Sequence, residues 1–76
     1  MLGVKGGVVM GLYYKIDVLE ALKDQGYTTY KLRKEKLLGE GTLQKLREGQ
    51  GISWDVIETI CRLLNCQPDD IIGYQQ

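Results

Sequence analysis

Thr28-Thr29-Tyr30-Lys31-Leu32-Arg33-Lys34-Glu35-Lys36-Leu37-Leu38-Gly39-Glu40-Gly41-Thr42-Leu43-Gln44-Lys45-Leu46-Arg47-Glu48-Gly49 carries the signals of two short helices and the turn between them. Thr28 is a good helix N-cap, because its hydroxyl can accept from a backbone N–H of the first turn. The helix it opens is expected over Tyr30 to about Lys36, with Leu32 pointing inward. Gly39 and Gly41, two glycines in three residues, are poor helix formers, so Leu37–Gly41 reads as a turn. A second helix is expected over Thr42–Glu48, with Leu43 and Leu46 as its buried pair, and Gly49-Gln50-Gly51 ends it.

The flanks extend the same pattern. Before this stretch, Asp17 can cap a helix with Glu20 three residues on, and Ile16, Leu19 and Leu22 share one side at helical spacing. Gly26 stands where a C-terminal glycine stops that helix. After it, Ser53 caps a helix whose inward set is Val56, Ile57, Ile60, Leu63 and Leu64, closed by Asn65. Pro68, Asp69 and Asp70 open a last short helix that buries Ile71 and Ile72. Val8-Val9-Met10-Gly11-Leu12-Tyr13-Tyr14 is β-branched and aromatic, and reads as a short strand or as an arm on the body. Residues 1–14 are thus expected as an arm or extension, with residues 1–9 an upstream extension if Met10 is the true start. Residues 15–76 are expected as one five-helix domain. Its central pair of helices, joined by a tight glycine-bearing turn, has helix-turn-helix geometry, in which the second helix can enter a major groove.

Composition narrows the function. A chain of 76 residues, 43% apolar and 26% charged, fits one small globular domain. It has no histidine and two cysteines, too few soft or nitrogen ligands for a zinc site and no usual group for acid–base work near neutral pH. No enzyme activity, metal, cofactor or small-molecule substrate is therefore expected. Apolar runs are too short to span a membrane, and Gly3, Gly6, Gly7 and Gly11 interrupt the N-terminal segment, which reads as no leader. The expected location is cytoplasmic. Formal charge is zero overall, yet Thr28–Glu48 holds six cations against three carboxylates, a balance of +3, and the remainder carries −3. Such asymmetry gives a directional field.

The segments Thr28–Glu35, Thr42–Gly49 and Ile60–Ile72, in this order and with Ile16–Gly26 as a first helix, resemble the Cro/CI-type (XRE-like) helix-turn-helix family over about four-fifths of the chain. The resemblance implies an all-α, five-helix, lambda-repressor-like bundle that binds double-stranded DNA as a transcriptional regulator, commonly a repressor and commonly a homodimer. By position it implies that Thr29 grips a phosphate, that Glu40 and Gly41 begin the recognition helix, and that Lys45 lies one turn further on its exposed face. It places Leu43 and Leu46 in the core, and Ser53 and Trp54 at a helix start facing the DNA backbone. Two residues depart from the family pattern, which usually has a small residue at Arg33 and a turn glycine at Leu37. A leucine in left-handed geometry would cost on the order of 1–2 kcal/mol. The expectation is therefore a helix one residue longer, with Leu37 buried and Gly39 taking the turn.

Side-chain chemistry sorts the candidates further. Lys45 can hydrogen-bond guanine edges, Gln44 pairs well with adenine, and Glu40 can accept from a cytosine amino group. Their ordinary alternatives are solvated helix positions and, for Glu40, a favourable place in the helix dipole. Gly41 can only let a backbone approach closely. Lys31, Arg33 and Lys34 would act on phosphates, giving affinity without sequence choice. Trp54 reads as a packing residue, and Cys61 and Cys66 as small buried hydrophobes. The terminal segments, with Val8, Val9, Leu12, Tyr13 and Tyr14 at one end and Ile72, Gly73 and Tyr74 at the other, offer a dimer contact or a cover for the chain's own core. The rival function is a protein-interaction module or antitoxin-like co-regulator on the same fold.

Overall fold

The computed structural model describes residues 11–76; Val8 and Val9 lie outside the described residues. The elements run β1 (Gly11–Tyr14), α1 (Val18–Asp24), α2 (Thr29–Lys34), α3 (Glu40–Glu48), α4 (Trp54–Leu64), α5 (Pro68–Ile71) and β2 (Ile72–Gln75). Among the described residues five helices match the expected bundle, but the domain is not all-α. β1 and β2 pair antiparallel with Leu12 opposite Tyr74 and Tyr14 opposite Ile72, so a small sheet ties the two ends of the domain together. Ile72 was expected to be buried by the last helix, and no strand was expected at this end. Ile72 instead turns to extended backbone (φ −125°, ψ 155°). Gly73 accepts the Tyr13 ring from across the sheet: a Cβ there would lie 2.9 Å from the Tyr13 Cζ.

Capping follows the sequence closely. Asp17 accepts from the Glu20 N–H at 3.1 Å, Thr28 from the Lys31 N–H at 3.2 Å and Ser53 from the Val56 N–H at 3.3 Å. Each bond satisfies a donor that its helix leaves free. Gly26, Gly49 and Asn65 take the left-handed conformation near the ends of their helices, as the positions after α1, α3 and α4 require.

The α2–α3 turn departs from expectation. α2 stops at Lys34 rather than running longer, and the left-handed residue is Lys36 at φ 58°, while Gly39 (φ −80°) serves as the N-cap of α3. Leu37 is half-buried and Leu38 takes the core position. Their N–H groups both donate to the Leu32 carbonyl, at 2.9 and 3.3 Å. Holding a lysine in the left-handed region costs about 1–2 kcal/mol, and full burial of one leucine returns about 1.5–3 kcal/mol. Packing of Leu38 therefore decides the turn over local preference.

The core consists of Val18, Leu22, Leu32, Leu38, Leu43, Ile60 and Ile71. Ile16 was expected inward but precedes the cap of α1 and is 38% exposed; Val18, the first helical residue, takes its place. Trp54 is not a packing residue, being 89% exposed on the first turn of α4. Leu46 is half-buried beside the core and Leu43 is fully enclosed. Leu43→Ala should lower the unfolding free energy by about 2–5 kcal/mol, with Leu46→Ala costing less. Chemical denaturation checks both, and equal losses would place the centre of the α3 contact between the two leucines.

Candidate nucleic-acid interface

Helix α3 starts two residues earlier than the spacing predicts, at Glu40, which brings Gly41 inside the helix. At 100° per residue, the burial of Leu43 and Leu46 on one side leaves Gly41, Gln44, Lys45 and Glu48 along the opposite side. All four are exposed. Gly41 has no neighbouring atom within 4 Å of where a Cβ would sit. Nothing in the domain's own packing demands glycine there, and glycine in the first turn of a helix costs up to about 0.5 kcal/mol relative to alanine.

The rim between α2 and α3 carries a polar network. Glu40 accepts from Arg33 at 3.1 Å and from Arg47 at 3.5 Å. Arg47 also donates to the Gln44 side-chain oxygen at 3.2 Å, and the Gln44 amide donates to Glu48 at 2.6 Å. The arginine that departs from the family pattern thus pairs with the first residue of α3. Glu40 also sits in the first turn of its helix, where the dipole favours a carboxylate. Lys31 lies over the Tyr27 ring at 5.3 Å and Lys34 over Tyr30 at 5.7 Å, contacts that hold the lysine stems against α2. Lys45 has neither a salt bridge nor a side-chain hydrogen bond among the described residues.

Thr29 is the first residue of α2 and half-buried, directly after its cap. The Ser53 hydroxyl accepts from the Val56 N–H, which leaves its O–H, with the backbone N–H groups of the first turn of α4, as donors toward an outside acceptor. The structure therefore brings Arg33, Glu40, Gln44 and Arg47 together in one network, with Gly41 and Lys45 beside it on α3. Lys31 and Lys34 are each engaged with a tyrosine, and Ser53 is engaged as a cap. Arg47 was absent from the candidate residues. Its signal was in the sequence: it stands seven residues after Glu40, two helical turns along the same side. Among the described residues, no group of three His, Cys, Asp or Glu side chains is placed to hold a metal ion. None of the described helices is long and apolar enough to cross a membrane.

Two short helices joined by a tight turn, the second held by its apolar edge and open on its polar face, define a helix-turn-helix domain. Residues 16–76 match the Cro/C1-type HTH DNA-binding domain, and the chain belongs to that family. Comparison with curated proteins and with solved structures gives no significant match.

The Glu40 pairs are exposed, so their worth is small and screened by salt. Glu40→Gln should lower stability by no more than about 1 kcal/mol, with the loss shrinking in high salt. Thermal melts at low and high ionic strength check this, and a loss undiminished by salt would assign Glu40 a role in packing.

Proposed function

We propose that this domain is a sequence-specific, double-stranded-DNA-binding transcriptional regulator, a cytoplasmic repressor that lays α3 in the major groove and catalyses no reaction. The observation that carries this reading is the exposed line of Gly41, Gln44 and Lys45 on a helix whose other side is fixed in the core. Lys45 reads a guanine edge, and Gln44 reads adenine once its amide leaves Glu48. Gly41 lets the helix backbone approach the DNA closely. Glu40 orients Arg33 and Arg47 in the free protein. Thr29, Lys31, Arg33 and Lys34 meet phosphates on one flank, and the backbone at Ser53 meets them on the other.

One recognition helix reads few base pairs, so the proposal includes a homodimer through the terminal segments, with half-sites about 10 base pairs apart. Leu12 and Tyr74 support it: they face each other across the sheet and are 73% and 67% exposed. They continue the apolar side on which Tyr14 and Ile72 pack against the core. The same exposed apolar groups, with Trp54, favour the second reading, a protein-interaction module whose main partner is another protein.

The test is a titration of selected and random duplexes, with the fluorescence of Trp54, the chain's one tryptophan, as a readout beside mobility shift. Four to five phosphates neutralised per subunit give a slope of roughly −4 for log K against log salt. No binding at micromolar protein in low salt would defeat the DNA reading and leave the interaction module. Lys45→Ala should weaken cognate binding by about 1–3 kcal/mol, whereas Lys34→Ala should weaken all sequences alike. Gly41→Ala should stabilise the free domain by up to about 0.5 kcal/mol while weakening DNA binding. An alanine that leaves affinity intact would remove the close backbone approach. Sedimentation with and without DNA addresses assembly: a strict monomer that binds its selected site one-to-one, without a palindrome, refutes the dimer.

A further inference from the structure

The corner between α4 and α5 holds two thiols that DNA binding does not use. Asn65 closes α4 in the left-handed region at φ 54°, and the Cys66 N–H donates to the Cys61 carbonyl at 3.0 Å. The Asn65 N–H donates to the same carbonyl, so the end of α4 combines the bond of the αL motif with the six-to-one bond of the Schellman motif, and the residue just past the left-handed one folds back over the last turn toward the Cys61 side chain. The side chains at these two positions are ordinarily apolar. Here both are cysteines, free and half-buried, so neither is sealed from a reagent in water.

We propose that Cys61 and Cys66 form a thiol–disulfide exchange site, which reacts with a small-molecule disulfide to close an intrachain bridge without unfolding the corner. One protein thiol loses its proton, and its thiolate attacks a sulfur of the small disulfide. That S–S bond breaks, one small thiolate leaves, and a mixed disulfide forms on the protein. The second cysteine, deprotonated in turn, attacks the protein-side sulfur of the mixed disulfide and expels the other small thiolate. The two protein sulfurs give up two electrons together, the two sulfurs of the reagent take them, and the two protons end on the departing thiols. The helix-end closure, with both N–H groups on the Cys61 carbonyl, keeps the second thiol near the first, so the second step is intramolecular and the mixed disulfide does not accumulate.

Burial, followed by the neighbouring Cys61 through charge and hydrogen bonding, and then by Asp70 and Asp69 on α5, pushes the Cys66 thiol up. Its thiolate is therefore scarce at neutral pH, and exchange there is slow. The bridge fastens the end of α4 to the segment leading into α5. From that segment Ile71 enters the core and β2 leaves for the sheet. The inference is independent of the DNA reading.

The reduced full-length chain is incubated with oxidised glutathione under native conditions, quenched in acid and weighed intact. The expected product is a monomer lighter by two hydrogen atoms, without alkylatable thiols, returned to the starting mass by dithiothreitol, and with a raised thermal midpoint. Cys66→Ser should stop at a single glutathione adduct on Cys61. Should that variant fail to fold, peptide mapping of the wild-type product locates the bridge. Accumulated glutathione adducts on the wild type, disulfide-linked dimers, or a bridge that forms only in denaturant would each overturn the proposal. So would a lowered midpoint on bridging, because it would mean that the corner must distort.

Discussion

Leu43 is the one residue of α3 wholly withdrawn from solvent, and its burial determines which side of a nine-residue helix remains open. A helix that short is marginal on its own in water, and its persistence depends on tertiary packing. Leu32 and Leu38, both buried, bracket the turn that delivers α3. The turn is strained at Lys36 because Leu38 must reach the core. Rotating α3 by one residue would withdraw Leu43 and bring Gln44 inward, leaving a buried amide with no partner. That penalty, about 1–3 kcal/mol for an unsatisfied polar group on top of the lost leucine burial, keeps the exposed face in register.

The open face is polar but not idle. Arg33, Glu40, Arg47, Gln44 and Glu48 satisfy one another in the free protein, and each pair is exposed enough to be broken cheaply. On the proposed DNA reading, a phosphate arriving at Arg33 or Arg47 would compete with the one carboxylate that holds both, and the cost of binding would be mainly an exchange of partners. Zero net charge is compatible with this arrangement, since the segment carrying α2 and α3 holds +3 and the rest of the chain −3. The field depends on where the charges lie.

What was legible in the sequence is what local chemistry decides. Asp17, Thr28 and Ser53 were readable as caps because a short oxygen-bearing side chain before an apolar repeat has one good use. Leu22, Leu32, Leu43, Ile60 and Ile71 were readable as core from helical spacing. Lys36 was not readable as the left-handed residue, because nothing local favours lysine there and the packing of Leu38 lies outside any short window. β2 was equally hidden, since its partner stands some sixty positions away at the other end of the domain. The exposure of Trp54 was legible from helix phase, which sets it about 120° from Ile60, but residue size argued for packing and was given more weight. At the candidate site, Lys45, Gln44 and Gly41 were legible from helix phase, whereas the engagement of Glu40 with both Arg33 and Arg47 needed the α2–α3 crossing.

The sheet gives the ends of the domain a say in the position of α3. From β1, the Tyr14 hydroxyl donates to the Gln50 carbonyl. Gln50 directly follows the left-handed Gly49 that ends α3, and its own N–H returns to the Lys45 carbonyl at 2.8 Å. Burial raises the Tyr14 pKa above its ordinary value, so the hydroxyl remains a neutral donor at physiological pH. Any stability this shift contributes is present below the unfolded tyrosine pKa of about 10 and is lost as pH rises through the folded value. One short chain of bonds therefore runs from the sheet to the last turn of α3. If two copies join through Leu12 and Tyr74, the distance between their two α3 helices is set through this connection. The strands would then fix half-site spacing without touching DNA, and α3 would fix the bases within each half.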